Sequence, residues 1–171
     1  MSNGDLQCAA TADPAAVLPD YTGGSIVNLM TSLRSACGGH PSSDYPGLPE
    51  LDPAEIAGHR NVLLMVIDGM GDGFLKRVAP AGAMHSRRLR RLTSVFPSTT
   101  AAAITTFLTG EAPQQHGLTG WFMYLRELAG VFAVLPARPR CGGPTFSRSG
   151  IDPRLVFDSR PVFAGMGRRS I

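Results

Sequence analysis

Lysine occurs once in this 171-residue sequence, at Lys76, and tryptophan once, at Trp121. Three cysteines (Cys8, Cys37, Cys141) are odd in number, far apart and without a C-x-x-C pair, which excludes a disulfide framework and a zinc ribbon and leaves free thiols. The longest uninterrupted apolar run, Val62 to Ile67, falls far short of the ~20 residues that a membrane helix needs, so no membrane span is expected. The first residues, MSNGDLQCAA, lack a basic n-region and an apolar h-region, so no secretory signal is read and a cytoplasmic location is the default expectation. No G-K-[ST] element exists, which excludes a Walker loop. Gly69, Gly71 and Gly73 miss the spacing of a dinucleotide fingerprint and carry Asp72 where a pyrophosphate would approach.

What is present describes a globular chain of one domain, 43% apolar and 17% charged, with 20 glycines and 14 prolines that imply many short elements. Residues 1–19 lack periodicity and read as a flexible arm, with residues 20–171 as the domain. Net charge is +3, and a quarter of the basic side chains lie in His85-Ser-Arg87-Arg88-Leu-Arg90-Arg91. Such a run fits a solvated face more simply than a polyanion site, which weighs against nucleic acid as a partner. Trp121, Phe122 and Tyr124 read as packing residues rather than a base-stacking set.

Along the chain, Ile26, Leu29, Met30 and Leu33 fall at helical spacing between Ser25 as cap and Gly38 as stop. Asp52-Pro53-Ala-Glu55 starts a second short helix that ends near Gly58. Val62 to Ile67 is apolar without alternation and predicts a strand buried on both faces, as in a parallel sheet covered by helices. Asp72 is placed to cap a helix over 73–78. Leu92 to Phe96 predicts another strand, joined to the first by a right-handed parallel crossover that brings both carboxyl ends to one sheet edge. A helix rich in small residues follows from Thr99 to Gly110, then a turn with His116, and Asp152-Pro153 opens one more short helix.

The chemistry concentrates at those two strand ends. Asp68-Gly69 closes the first, and Phe96-Pro97-Ser98-Thr99-Thr100 forms a corner with three consecutive hydroxyls at a helix start, where negative charge is well held. An acid and a hydroxyl at adjacent strand ends form part of a metal site in which a cation makes the hydroxyl a nucleophile. Any of the three hydroxyls satisfies this pattern. His116 reads as a turn residue bonded to backbone rather than as a ligand.

The ordered set NVLLMVID68-G-M-G, SVF96-P97-S-T-T100-AAAITTFLTG110 and PQQH116-G117-L resembles the type I phosphodiesterase/nucleotide pyrophosphatase family of the alkaline phosphatase superfamily, over about residues 18–163. The resemblance implies an α/β fold, three-layer α/β/α and alkaline-phosphatase-like, of which this chain would be the N-terminal half of a mostly parallel sheet. It implies Asp68 as a ligand to one of two zinc ions, and Thr100 as the nucleophile that touches both metal and phosphorus. It also implies a small-molecule phosphate ester or nucleotide as substrate, so the function expected is metal-dependent hydrolysis of phosphodiester or nucleotide pyrophosphate bonds.

Two departures stand beside it. Trp121 occupies the region where many nucleotide pyrophosphatases carry an asparagine that donates to a phosphate oxygen. The family's D-x-x-x-H, D-H and later histidine ligands have no counterpart, since none of the four histidines follows Asp by one or four positions. The expectation is therefore a chain lacking the C-terminal half of the domain and an incomplete site. The alternatives are a non-catalytic remnant or a binding protein that uses the Arg87–Arg91 run.

Overall fold

The computed structural model describes residues 17–40, 44–157 and 159–170, so most of the expected arm lies outside the described residues. Six α-helices and three strands occur among them: α1 Ile26–Ala36, α2 Pro53–Ala57, α3 Asp72–Val78, α4 Ala83–Ser86, α5 Thr100–Thr109, α6 Pro113–His116, β1 Phe122–Leu125, β2 Gly130–Ala133 and β3 Arg138–Pro139. Helix α1 starts where its sequence signals predict. The Asn28 side chain accepts from the Ser25 backbone N–H at 3.0 Å and its amide donates to the carbonyls of Tyr21 (2.9 Å) and Pro46 (2.8 Å), which ties the helix start to two flanking loops. Asp52 caps α2 by accepting from the Ala54 N–H at 2.8 Å. Asp72 does not cap α3. It occupies the first turn, with Gly71 as cap, and pairs with Lys76 at 3.2 Å and with Arg88.

The sheet differs from the expected one. Among the described residues the only ladder is antiparallel, in the order β1-β2-β3, with Phe122 opposite Ala133 and Leu125 opposite Gly130. Parallel pairing is reduced to one bridge, in which Thr93 donates to Gly24 at 2.8 Å and accepts from Ile26 at 3.1 Å. The physical reason is a missing neighbour: the Leu92–Phe96 segment spends its backbone on the residues that enter α1, not on Val62–Ile67. The latter segment is extended but makes no backbone hydrogen bond among the described residues. Its side chains alternate as in a strand, with Leu63 and Met65 84% and 71% exposed against 37 to 40% for Val62, Leu64 and Val66. Burial on both faces, predicted from its continuous apolar character, is therefore not met.

The core forms around α5 and the antiparallel sheet. Ala101 and Ala102 are fully buried: Ala102 packs with Val27, Val95 and Ala112, and Ala101 with Leu118 and Val134. Small side chains in that first turn let α5 lie close against α1 on one side and the start of the sheet region on the other. A third cluster sits under the inner sheet face, where Leu125 and Phe132 meet Phe146, with the Phe132 and Phe146 rings 5.1 Å apart. Gly110 ends α5 in the left-handed region (φ 74°), a conformation that favours glycine.

Candidate functional site

The corner before α5 is organised by division of labour among its hydroxyls. Thr99 is the N-cap, its side-chain oxygen accepting from the Ala102 N–H at 3.3 Å. Thr100, one residue on, is the first residue of the helix and turns its hydroxyl the other way, donating to Asp68 Oδ2 at 3.3 Å. Ser98 is exposed and lines a separate crevice with Val17, Pro19 and Arg91. Sequence alone left these three side chains equivalent. Helix geometry separates them, because a cap oxygen must point along the helix axis at the free N–H groups while the next side chain points outward.

Asp68 is set by its own turn. Its other carboxylate oxygen, Oδ1, accepts from the Gly69 N–H at 2.9 Å, and Gly69 has φ +73°, so the chain reverses immediately after the acid. The predicted meeting of Asp68 with the 98–100 corner is thus observed, although the two segments that carry them share no ladder. Asp68 and Thr100 are both exposed and open onto a cleft of about 430 Å³ between the 66–71 segment and α5. Ile26, Val66, Ile67, Ala103, Ile104 and Phe107 form its apolar walls. The backbone N–H of Thr100 has no partner among the described residues, which leaves one donor beside the Thr100 hydroxyl for an anionic oxygen, whereas Ala101 is fully buried and does not line the cleft.

His116 lies elsewhere in function. It is buried, its Nδ1 accepts from the Leu118 N–H at 3.0 Å, and its Nε2 is 3.3 Å from the Thr106 hydroxyl. An accepting Nδ1 places the proton of the neutral ring on Nε2, which then donates to Thr106. Burial holds its pKa below the usual histidine value, against the opposing effect of backbone hydrogen bonds at Ala102 and at His116 itself. The short α6 around it is pinned by Gln115, whose amide donates to Asp44 at 2.7 Å, and by Gln114, which donates to the Tyr45 hydroxyl at 2.8 Å.

The resemblance implies two zinc ions. A structural or catalytic zinc takes three or four protein donors. Here one carboxylate and one hydroxyl are bonded to each other, and among the described residues no group of three or more His, Cys, Asp or Glu side chains converges. The described residues do not fit a two-zinc site.

The arginine run is partly committed to the fold. Arg90 forms a two-pronged pair with Glu50 (2.9 and 2.8 Å), whose hydrogen bonds hold the Glu50 carboxyl below its usual pKa, and Arg88 is paired with Asp72. Trp121, Phe122 and Tyr124 are not packing residues as the sequence predicts: they are 43%, 47% and 65% exposed. The alternation of β1 explains this, since its inward positions are Met123 and Leu125. Among the described residues no helix is long and apolar enough to cross a membrane.

A family model described as type I phosphodiesterase / nucleotide pyrophosphatase matches residues 62–154, more than half of the chain, and spans both Asp68 and Thr100. No curated protein and no solved structure matches the chain.

Proposed function

We propose, since the chain belongs to the type I phosphodiesterase / nucleotide pyrophosphatase family, that its cleft binds a phosphate ester and that Thr100 is the group facing the phosphorus. The observation that carries this reading is the single hydrogen bond from the Thr100 hydroxyl to Asp68 at 3.3 Å, at the mouth of a cleft where the Thr100 backbone N–H has no partner among the described residues. In the reaction class of the family, the Thr100 oxygen forms a bond to phosphorus while the bond to the ester oxygen breaks. The hydroxyl proton moves to Asp68 Oδ2, which returns it to the departing oxygen where that oxygen leaves as an alcohol, whereas a nucleotide phosphate leaves as its anion. The free N–H of Thr100 holds an oxygen that becomes more negative.

Asp68 orients Thr100 well but is a weak base for an alkanol, so these residues alone support binding and slow phosphoryl acceptance rather than rapid turnover. Zinc chemistry, which the family resemblance implies, would require donors beyond Asp68 and Thr100. The three-layer alkaline-phosphatase-like architecture belongs to the same proposal: Val62–Ile67 and Leu92–Phe96 have the apolar composition of buried parallel strands, and Asp68 and Thr100, which follow them, are hydrogen-bonded.

A second reading, a phosphate-ester binder without turnover, is favoured by the lack of a convergent ligand group among the described residues. Hydrolysis of bis-(p-nitrophenyl) phosphate, with and without added zinc, separates the two. The proposed role predicts a slow rate that is lost in Thr100→Ala and kept in Thr99→Ala. A rate equal in wild type and Thr100→Ala rejects Thr100 as the reacting group and leaves the binding reading.

A further inference from the structure

The solvent face of the three-stranded sheet has a composition unlike an ordinary solvated face. In an antiparallel sheet with one buried side, the outer side is normally polar. Here register places Phe122, Ala133 and Arg138 in one row across the strands, and Tyr124 with Val131 in the next. Arg140 continues the second row, its backbone N–H donating to the Val131 carbonyl at 2.9 Å and its guanidinium lying 4.9 Å from the centre of the Phe122 ring. Among the described residues, the outward positions of these rows carry two aromatics and two arginines, and no acid. The nearest carboxylate in sequence, Glu127, sits in the following 3-10 turn beside Arg126, 4.0 Å away. All of these side chains except Ala133 are exposed.

We propose that this face binds single-stranded nucleic acid, with Phe122 and Tyr124 each stacking one base and Arg138 and Arg140 contacting phosphates. Residues two apart on a strand are separated by ~6.8 Å, twice the ~3.4 Å rise between stacked bases, so the two rings accept splayed bases and do not fit a duplex. An aromatic pair on a sheet flanked by arginines is sequence-tolerant, because every base offers a π-face. The site is separate from the Arg87–Arg91 run, in which Arg88 and Arg90 are already paired with Asp72 and Glu50. It uses neither Asp68 nor Thr100 and stands or falls independently of the phosphate-ester site.

Fluorescence anisotropy of a labelled twelve-nucleotide uridine strand, titrated with the full chain at low salt, tests the assignment. Tyr124→Leu, which keeps apolar bulk on the strand, and Phe122→Ala are each expected to weaken binding roughly five-fold to a hundred-fold by loss of one stack. Arg140→Ala is expected to make the slope of log affinity against log salt shallower by about 0.7, the value for one phosphate contact on a single strand. Arg87→Ala with Arg91→Ala should leave affinity within two-fold, and an unlabelled duplex should compete poorly. The proposal is overturned by an absence of binding in the wild type, by unchanged affinity in a Tyr124→Leu protein with a wild-type far-UV spectrum, by equal competition from duplex, or by loss of binding in the Arg87/Arg91 variant instead.

Discussion

Replacing His116 tests whether the Pro113–Gly117 turn is held by a neutral imidazole. In the native chain the ring satisfies two otherwise buried groups, the Leu118 N–H at 3.0 Å and the Thr106 hydroxyl at 3.3 Å, with the side chain 6% exposed. His116→Leu fills similar space but leaves both groups without a partner, and an orphaned buried polar group costs about 1–3 kcal/mol. Thr106 is able to rotate toward a carbonyl of the preceding helical turn, so the Leu118 N–H carries most of the loss, for a total of about 2–4 kcal/mol. For a chain of this length that is a fall in Tm of roughly 4–16 °C. His116→Asn restores an oxygen that accepts from the N–H two residues on, an arrangement asparagine favours in turns, and should recover about half of the loss. Thermal unfolding followed by far-UV circular dichroism measures both. Equal destabilisation by Leu and Asn would refute the hydrogen-bonding role and reduce His116 to packing.

The same residue gives a pH dependence whose sign follows from burial. Its folded-state pKa lies below the ordinary 6.5, so the unfolded chain takes up the proton first as pH falls. The contribution of neutral His116 is fully present above about pH 6.5 and is lost as pH drops through the folded-state value. Urea midpoints between pH 8 and pH 5 should therefore fall in the wild type and flatten in His116→Asn, and parallel curves would contradict this.

Two further outcomes concern packing. Phe146 is 1% exposed, meets Phe132 at a tilt with ring centres 5.1 Å apart and stacks 6.2 Å from Phe157, and its truncation in Phe146→Ala should cost about 3–5 kcal/mol, read as a lower urea midpoint with loss of near-UV signal; a change within experimental error would mean that the sheet is not held from below by this ring. Leu63 and Met65 point from an extended segment whose backbone is unpaired among the described residues, the feature that drives strand-to-strand association, so Leu63→Lys with Met65→Lys should reduce light scattering at high protein concentration without lowering Tm. Unchanged scattering would place the association surface elsewhere.

Much of the local structure was legible in the residues because short-range signals decide it. Ser25, Asp52, Thr99, Gly110 and Asp152 begin or end elements where their side-chain and backbone chemistry requires. The convergence of Asp68 with Thr100 was also legible, since each follows an apolar segment, although the parallel pairing expected to bring them together is not what the structure shows. The sheet was not. A run such as Val62–Ile67 declares a wish to be buried but does not say which strand will cover it, and pairing depends on long-range partners that no local pattern encodes. Likewise, the apolar character of Phe122 and Tyr124 predicts packing, whereas the two-residue period of β1 assigns the inside to Met123 and Leu125. The split between Thr99 and Thr100 needed the helix start fixed to one residue.

Thr100 as the phosphoryl-accepting group is tested most directly by trapping. The chain is incubated with bis-(p-nitrophenyl) phosphate and zinc, quenched in acid, digested and examined by mass spectrometry. The account predicts a phosphoryl-type adduct on the peptide that contains Thr100, at the Thr100 hydroxyl, present in wild type and Thr99→Ala and absent from Thr100→Ala. An adduct on Ser98 or Thr99, or one that persists in Thr100→Ala, would contradict it.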